Sequence, residues 1–314
     1  MKRLITLGIL SLASLAQGAI TTGLVGYFDF EGSGITNQAA AVGSDYAGTF
    51  ENGTNTLGAA AAGVFGASSG TSGGKVGNGV LLSATTGTST SGVTIPIGFG
   101  GGQDLGASFT VSSWVKLNGS PADTTSDRYF VYEGGTLAAT GNYDISLSVR
   151  DTTGTFGDVN TLADNFQFFS QGGTGGDGAS GPSGSAEGRT ITASAATAPG
   201  QWTHLVQTYQ AGATNTTVTT YLNGVAFGSV LTNLNTNISS TGFVVGRARL
   251  SANDRAFDGM IDEVAMWNRG LTQEEITEAY TRGFNGEAIP EPTAVVLGGL
   301  AGMLALLRRR RSGP

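Results

Sequence analysis

The stretch Ala107-Ser108-Phe109-Thr110-Val111-Ser112-Ser113-Trp114-Val115-Lys116-Leu117 carries Phe109, Val111 and Ser113 on one side of an extended chain and Thr110, Ser112 and Trp114 on the other. A period of two marks a half-buried strand, because successive side chains leave a pleated backbone on opposite faces. The run from Trp202 to Gln210 repeats the pattern, with Trp202, His204, Val206 and Thr208 alternating with Thr203, Leu205, Gln207 and Tyr209. Next come Val218 to Leu222, the pair Asn223-Gly224, and Val225 to Leu231. Asn-Gly between two β-rich runs predicts a two-residue hairpin, since that turn needs positive φ at both positions.

Further strand signals lie at Leu24 to Gly32, an aromatic run carrying acidic residues, and at Lys75 to Ser83, Val93 to Ile97, Arg128 to Tyr132, Tyr143 to Arg150, Asn165 to Phe169, Arg189 to Ala193, Phe243 to Leu250 and Phe257 to Trp267. Residues 32–74 and the Gly/Ser tract Ser170 to Gly188 read as connections. One helix is predicted from Gln273 to Arg282: Thr272 and Glu275 form a capping box, Leu271 is placed to staple against Ile276, and Gly283 marks the stop. The chain has 314 residues with 52 Gly and 7 Pro. Short strands and turns therefore outweigh helices, and the body can fill one all-β domain. The expected fold is a two-sheet antiparallel β-sandwich with one short helix on it.

The two ends have a different character. Met1-Lys2-Arg3, an apolar run from Leu4 to Ala16 and the small-residue stretch Ala16-Gln17-Gly18 predict a secretory leader over residues 1–19. At the far end, Ile289-Pro290-Glu291-Pro292-Thr293 precedes fourteen apolar or small residues, Ala294 to Leu307, and then Arg308, Arg309, Arg310 and Arg311. A helix of that length rises about 21 Å against a hydrocarbon core of about 30 Å, a marginal span with its end pinned by arginine. The body is then residues 20–288, and the tail residues 289–314.

This ordered tail resembles the PEP-CTERM sorting signal of Gram-negative bacteria. The resemblance implies transient anchoring in the inner membrane and cutting near Pro290-Glu291-Pro292 by an exosortase-type enzyme. It also implies delivery to the cell surface or an extracellular matrix. A plain single-pass anchor is the competing reading.

There is no cysteine, which excludes a disulfide frame and thiolate metal sites. The leader and tail hold six of the 16 basic residues but only Glu291 of the 23 acidic ones, so the body carries 10 basic against 22 acidic residues, a net charge of −12. Such a body disfavours nucleic acid and anionic lipid, and suits neutral glycans, cations or basic surfaces.

Gly74-Lys75-Val76-Gly77-Asn78-Gly79-Val80, Ser108 to Lys116, Gln201 to Val206, Tyr221-Leu222-Asn223-Gly224, Phe257 to Val264 and Trp267-Asn268-Arg269, followed by the capped helix, resemble successive landmarks of LamG-like jelly-roll domains of the concanavalin A-like lectin/glucanase superfamily. The resemblance spans about Leu24 to Gly286. It implies two antiparallel sheets of about six or seven strands each, glycan or protein recognition at a face or rim, and often a structural Ca²⁺. With the first and last strands adjacent, Asp29 and Asp262 become the candidate calcium ligands. Solvated carboxylates, or pairs with Arg247 or Arg269, are the alternative.

Catalysis finds little support. Laminarinase-like members carry Glu-x-Asp-x-x-Glu on one strand, a triplet absent here, and retaining hydrolysis needs two carboxyls about 5 to 5.5 Å apart. The neighbours Asp262 and Glu263 are expected on opposite faces of their strand. His204, the only histidine, reads as a structural strand residue. Gly172 to Asp177 matches one copy of a calcium-binding repeat, and Gly173, Gly175 and Gly178 fit a dinucleotide fingerprint; both lack the context such motifs need. Tyr27, Trp114, Tyr129, Tyr209 and Trp267 are either a stacking platform for sugars or core. The expected function is an exported, non-catalytic module binding a carbohydrate or surface protein; a structural matrix or adhesion protein and a divergent polysaccharide hydrolase are the rivals.

Overall fold

A computed structural model of the chain describes residues 20–32, 34–39, 46–51, 68–82, 92–100, 103–117, 128–135, 143–151, 166–172, 190–192, 200–213, 216–232, 239–247, 257 and 259–290. The leader, Glu291, Pro292, the apolar run, Arg308 to Arg311 and the glycine motifs beyond Gly172 lie outside them. Among the described residues no helix is long and apolar enough to cross a membrane.

The strands, in chain order, are β1 (Leu24–Phe28), β2 (Thr49–Glu51), β3 (Ser68–Ser72), β4 (Asn78–Leu82), β5 (Gly92–Ile95), β6 (Phe99–Gly100), β7 (Phe109–Leu117), β8 (Arg128–Gly135) and β9 (Tyr143–Asp151). They continue with β10 (Phe166–Gly172), β11 (Thr190–Thr192), β12 (Thr203–Ala211), β13 (Thr216–Leu222), β14 (Val225–Thr232), β15 (Ser239–Ser240), β16 (Gly242–Val245) and β17 (Gly259–Trp267); the helix α1 is Gln273–Phe284. Eight strands form one sheet in the order β14-β13-β12-β7-β17-β4-β3, with β1 also on β17, and seven form the other in the order β11-β10-β9-β8-β16-β5-β2. All of the pairings are antiparallel. The strand reading thus holds, with one more strand than expected in the first sheet. β2 and β3 fall inside the tract read as connections, where Gly, Ser and Thr gave no alternation to read.

The sheets face each other across one core. Phe109, Val111, Val115 and Leu117 of β7 meet Leu205 and Tyr209 of β12 on one side, and Ile145, Leu147, Phe243 and Val245 of the second sheet on the other. Gln207, on the inward face of β12, is fully buried. It is satisfied within the core: Tyr132 Oη and Tyr209 Oη both donate to its Oε1, and its Nε2 donates to Thr220 Oγ1 at 3.2 Å. A closed polar knot of this kind avoids the cost of an unpaired buried amide.

The outer face of the eight-stranded sheet is covered. Ile20, Leu24 and Tyr27 from the start of the body, Ile276 and Ala279 of α1, and Ile289 after it close a second apolar cluster over Val206, Ala265 and Trp267. The capping box is present as read: Thr272 Oγ1 accepts from the Glu275 amide at 3.3 Å, and Glu275 Oε2 accepts from the Thr272 amide at 2.8 Å. Glu275 also takes both arms of Arg269 at 2.7 Å. Burial alone would raise its carboxyl; the hydrogen bonds from Arg269 and Thr272 hold it below the ordinary value. The stop is misplaced, however. Gly283 lies inside the helix, which ends on Asn285 as C-cap. Its missing side chain serves close packing, because a Cβ there would stand 2.7 Å from Cε2 of Trp114. Asn223 and Gly224 take φ of +50° and +80° in the predicted hairpin, and Gln273 Nε2 donates to the Gly224 carbonyl at 2.7 Å, tying the turn to α1.

Candidate functional site

β1 and β17 pair, with Phe28 opposite Val264, so the first and last strands are adjacent as the resemblance implies. The carboxylates sort differently. A bulge between Asp262 and Ala265, with Glu263 at φ +52°, inserts an extra residue. Ile261 and Val264 both point into the inter-sheet core. The two acids between them consequently share the outer side of the sheet, which corrects the expectation of opposite faces: a bulge breaks the alternation on which that expectation rests.

Asp262 is fully buried. Its Oδ2 accepts from the Lys75 and Val76 amides at 2.8 and 3.0 Å, and its Oδ1 from the Glu263 amide at 2.8 Å. Glu263 Oε2 accepts from the Tyr27 hydroxyl at 2.7 Å. Asp29 accepts from Gln38 Nε2 at 3.1 Å and from the Glu31 amide at 3.4 Å, and Glu31 Oε1 accepts from the Asn78 amide at 3.1 Å. The four acids brace the loop 73–77 and the crossing of β1 over β17. Burial pushes Asp262 up to about 8, helped by the charge of Glu263 and opposed by the amides. Burial likewise pushes Glu263 up to about 7; Asp29 and Glu31 add to the rise, and Tyr27 and the Ile289 backbone oppose it.

Asp29 therefore acts on Glu263, not on Asp262, and both Asp262 oxygens are occupied by backbone amides. Among the described residues no group of three or more His, Asp or Glu side chains could hold a metal ion. Calcium needs about six to eight hard oxygen donors, and Asp29 and Asp262 belong to no such group among the described residues. Arg269 belongs to Glu275.

His204 is buried, and its Nε2 is 2.9 Å from Ser112 Oγ. Its ring lies 4.9 Å from that of Trp114 and 6.0 Å from that of Tyr280. Burial lowers it to about 3, so the ring is neutral. Among the described residues no acid reaches its Nδ1, so the Ser112–His204 contact lacks the third member of a catalytic triad there. Tyr27, Trp114, Tyr209 and Trp267 are all buried as well; they are core, not platform. The Tyr129 side chain lies outside the described residues.

The arrangement that sequence reading missed crosses the outer face of the seven-stranded sheet. Core residues fix its phase: Val93 and Ile95, Phe243 and Val245, and Ile145 and Leu147 point inward, so the residues between them point out. Register then aligns Thr49 with Thr94, Thr94 with Val244, Val244 with Glu133, Glu133 with Ser146, and Ser146 with Gln171. Thr94, Glu133 and Ser146 are buried in this row, and the Ser146 hydroxyl has no hydrogen-bond partner among the described residues. Arg247, also buried, lies over Gly92, where a Cβ would be 2.8 Å from its Cγ. The alternation Ile145-Ser146-Leu147 was the available signal for Ser146; the alignment across six strands is not local and had none.

Fold and site together define a two-sheet antiparallel sandwich with one outer face closed and a polar row on the other. A model of the concanavalin A-like lectin/glucanases superfamily matches residues 86–277, more than half of the chain. The chain belongs to that superfamily. It is similar to domain 4 of the GH43 extracellular arabinanase AbnA of Geobacillus stearothermophilus, solved with arabinotriose: 19% identity over 81% of this chain and 97% of that one, with a TM-score of 0.50. It is also similar to the Trypanosoma rangeli sialidase: 16% identity over 84% of this chain, TM-score 0.54. The match spans 33% of the sialidase chain. At these identities the likeness is one of fold. No curated protein sequence matches the chain.

Proposed function

We propose that the body is a non-catalytic carbohydrate-binding module that reads its ligand on the outer face of the seven-stranded sheet. The observation that carries this reading is the row Thr94, Val244, Glu133 and Ser146 in register across that face; these side chains are buried, so a ligand reaches them only once the chain over them gives way, and the opposite sheet's outer face is closed by α1 and both ends of the body. Hydroxyls and a carboxylate flanking an aliphatic side chain are the donors, acceptors and apolar contact that a neutral sugar uses. Membership in a superfamily of lectins and glucanases, and a similar domain solved with arabinotriose, support the same ligand class.

The non-catalytic part of the proposal rests on where the carboxyls lie. Asp262 and Glu263 sit on the closed side, bound to amides and a tyrosine, and Glu133 is the one carboxylate of the aligned row. An acid and base pair across a scissile bond needs two.

Export and sorting complete the proposal: the leader over residues 1–19, the Pro290-Glu291-Pro292 stretch and the terminal arginines support an inner-membrane intermediate, processing by an exosortase-type enzyme and final display at the surface or in the matrix. Replacing Pro290, Glu291 and Pro292 by alanine should leave an uncut membrane-held form; normal processing of that variant would refute the sorting reading.

The ligand test is titration calorimetry of the purified protein against neutral oligosaccharides, arabinotriose first, with Glu133→Gln and Thr94→Val as variants. Saturable binding weakened about tenfold or more by Glu133→Gln is expected, the loss of a charged hydrogen bond. Binding that both variants leave intact would move the site elsewhere, and release of reducing ends would show a hydrolase.

A further inference from the structure

The helix that covers the outer face of the eight-stranded sheet stops before the sheet does. With Phe109, Val111, Val115 and Leu117 turned inward, β7 presents Thr110, Ser112, Trp114 and Lys116 to the outer side in turn. The approach to α1 is tied to the first of these: Thr110 Oγ1 donates to the Arg269 carbonyl at 2.8 Å and accepts from the Leu271 amide at 3.0 Å. Gly283, next to the last residue of α1, stands against the third, Trp114. Lys116 follows about 7 Å further along the strand, past the helix end, and is half-buried.

Two aromatic rings border this ledge. Trp202, the residue before β12 and also half-buried, has its ring 5.1 Å from the Lys116 ammonium. On the helix side, Trp114 stacks with Tyr280 at 5.7 Å and Tyr280 meets Phe284 at 5.8 Å, a ladder that climbs from the sheet to a phenylalanine 63% exposed. Lys75 Nζ lies 5.5 Å from the Phe284 ring and donates to the Phe284 carbonyl at 3.3 Å. That contact serves the helix end, whose last carbonyls attract a cation. Lys116 has no such duty. Its Nζ donates to the Gly73 carbonyl at 3.4 Å, which leaves two of its three protons for other acceptors. Among the described residues no carboxylate pairs with either lysine.

We propose that this ledge binds an acidic polysaccharide, with Lys116 holding a sugar carboxylate and Trp202 and Phe284 receiving the apolar faces of the sugar rings. An ammonium needs an anion, and a flat ring needs a flat apolar partner. A carboxylated sugar supplies both, whereas an acidic peptide would use the charge and leave the rings idle. The net charge of the body opposes an anion at long range, but that field is screened over about 8 Å at physiological salt. Inside that distance the local ammonium decides. The ledge lies on the opposite side of the sandwich from the row Thr94 to Ser146, so the two sites are separate.

The chain reports on the ledge itself. Of its three tryptophans, Trp114 and Trp267 are buried, so acrylamide reaches Trp202 first. The test follows acrylamide quenching of the full chain in detergent micelles as a tetramer of galacturonic acid is added, with the uncharged galactose tetramer as control. Saturable protection by the acidic tetramer is expected, and Trp202→Phe should abolish the signal. Lys116→Gln should weaken the half-saturation point about tenfold, the loss of a charge-assisted hydrogen bond, and Phe284→Ala should weaken it as well. Both positions are at the surface, and an unchanged melting temperature checks that the variants fold. Glu133→Gln, on the other face, should leave the acidic tetramer's binding intact, so the arabinotriose reading and this one can fail separately. Absence of protection would overturn the proposal. So would an unchanged half-saturation point in Lys116→Gln, or equal protection by the galactose tetramer or by polyglutamate.

Discussion

Trp114 of β7 lies directly under Gly283 of α1, with no room between the indole and the helix backbone for a methyl group. On its other flanks the indole stacks on Tyr280 at 5.7 Å and carries Lys75 Nζ at 4.8 Å. Burial also lowers the Lys75 ammonium below its ordinary value. One aromatic thereby sets how closely the helix approaches the sheet. Gly283→Ala would improve helix propensity yet force the helix off the indole. We expect a net loss of about 1–3 kcal/mol, the usual cost of overpacking, read as a lower midpoint in urea; an unchanged or higher midpoint would mean that the helix can shift freely.

A second expectation concerns pH. Asp262 and Glu263 have folded values of about 8 and 7, above their ordinary carboxylate values, so the folded protein binds their protons more tightly than the unfolded chain. Their contribution to stability is fully present below about pH 4 and is lost as pH climbs through 7 and 8. Melting temperature should accordingly be higher at pH 5.5 than at pH 8.5. Glu263→Gln should flatten that profile, and a wild-type profile that rises over the same range would contradict the assignment.

Asp262 anchors three amides, those of Lys75, Val76 and Glu263. Asp262→Ala strands all three amide donors at a buried site, which should cost about 2–4 kcal/mol given about 1–3 per stranded group with partial relaxation. Because Asp262 belongs to no group of three or more His, Asp or Glu side chains among the described residues, millimolar calcium should leave the melting temperature of the wild type unchanged. A ligand bound only by the folded state would raise it, and such a rise would establish a calcium site after all.

At the head of α1, Thr272→Ala should cost about 1 kcal/mol through the lost cap. Arg269→Ala should cost less than about 1 kcal/mol through its partly exposed ion pair with Glu275. Measured by chemical denaturation, the reverse order would mean that Arg269 acts mainly through its bond to the Thr22 carbonyl, at 2.8 Å.

The main lines of the fold were legible because they are local. Alternation over Phe109 to Leu117 and Thr203 to Tyr209, the Asn223-Gly224 turn and the Thr272 cap each depend on residues a few positions apart. What escaped depends on contacts distant in the chain. Gly283 reads as a helix stop until Trp114, 169 positions earlier, is known to lie beneath it. The sharing of one face by Asp262 and Glu263 follows from a bulge that no nearby residue announces. The row from Thr94 to Ser146 exists only once four strands are in register. The pairing of the first and last strands was legible, and Asp29 directly follows β1, but which acid it acts on could not be read without knowing the bulge.

The pairing of β1 with β17, Leu24 opposite Trp267, means that the body starts and finishes at one seam on the helix-covered side. Whatever grips the molecule, whether by its first residues or by its last, holds it from the same side. The seven-stranded sheet then faces away from the point of attachment in either case. A permuted chain, opened in the Asn223-Gly224 turn and joined across the old ends, should preserve that orientation while moving the tether to the hairpin beside α1.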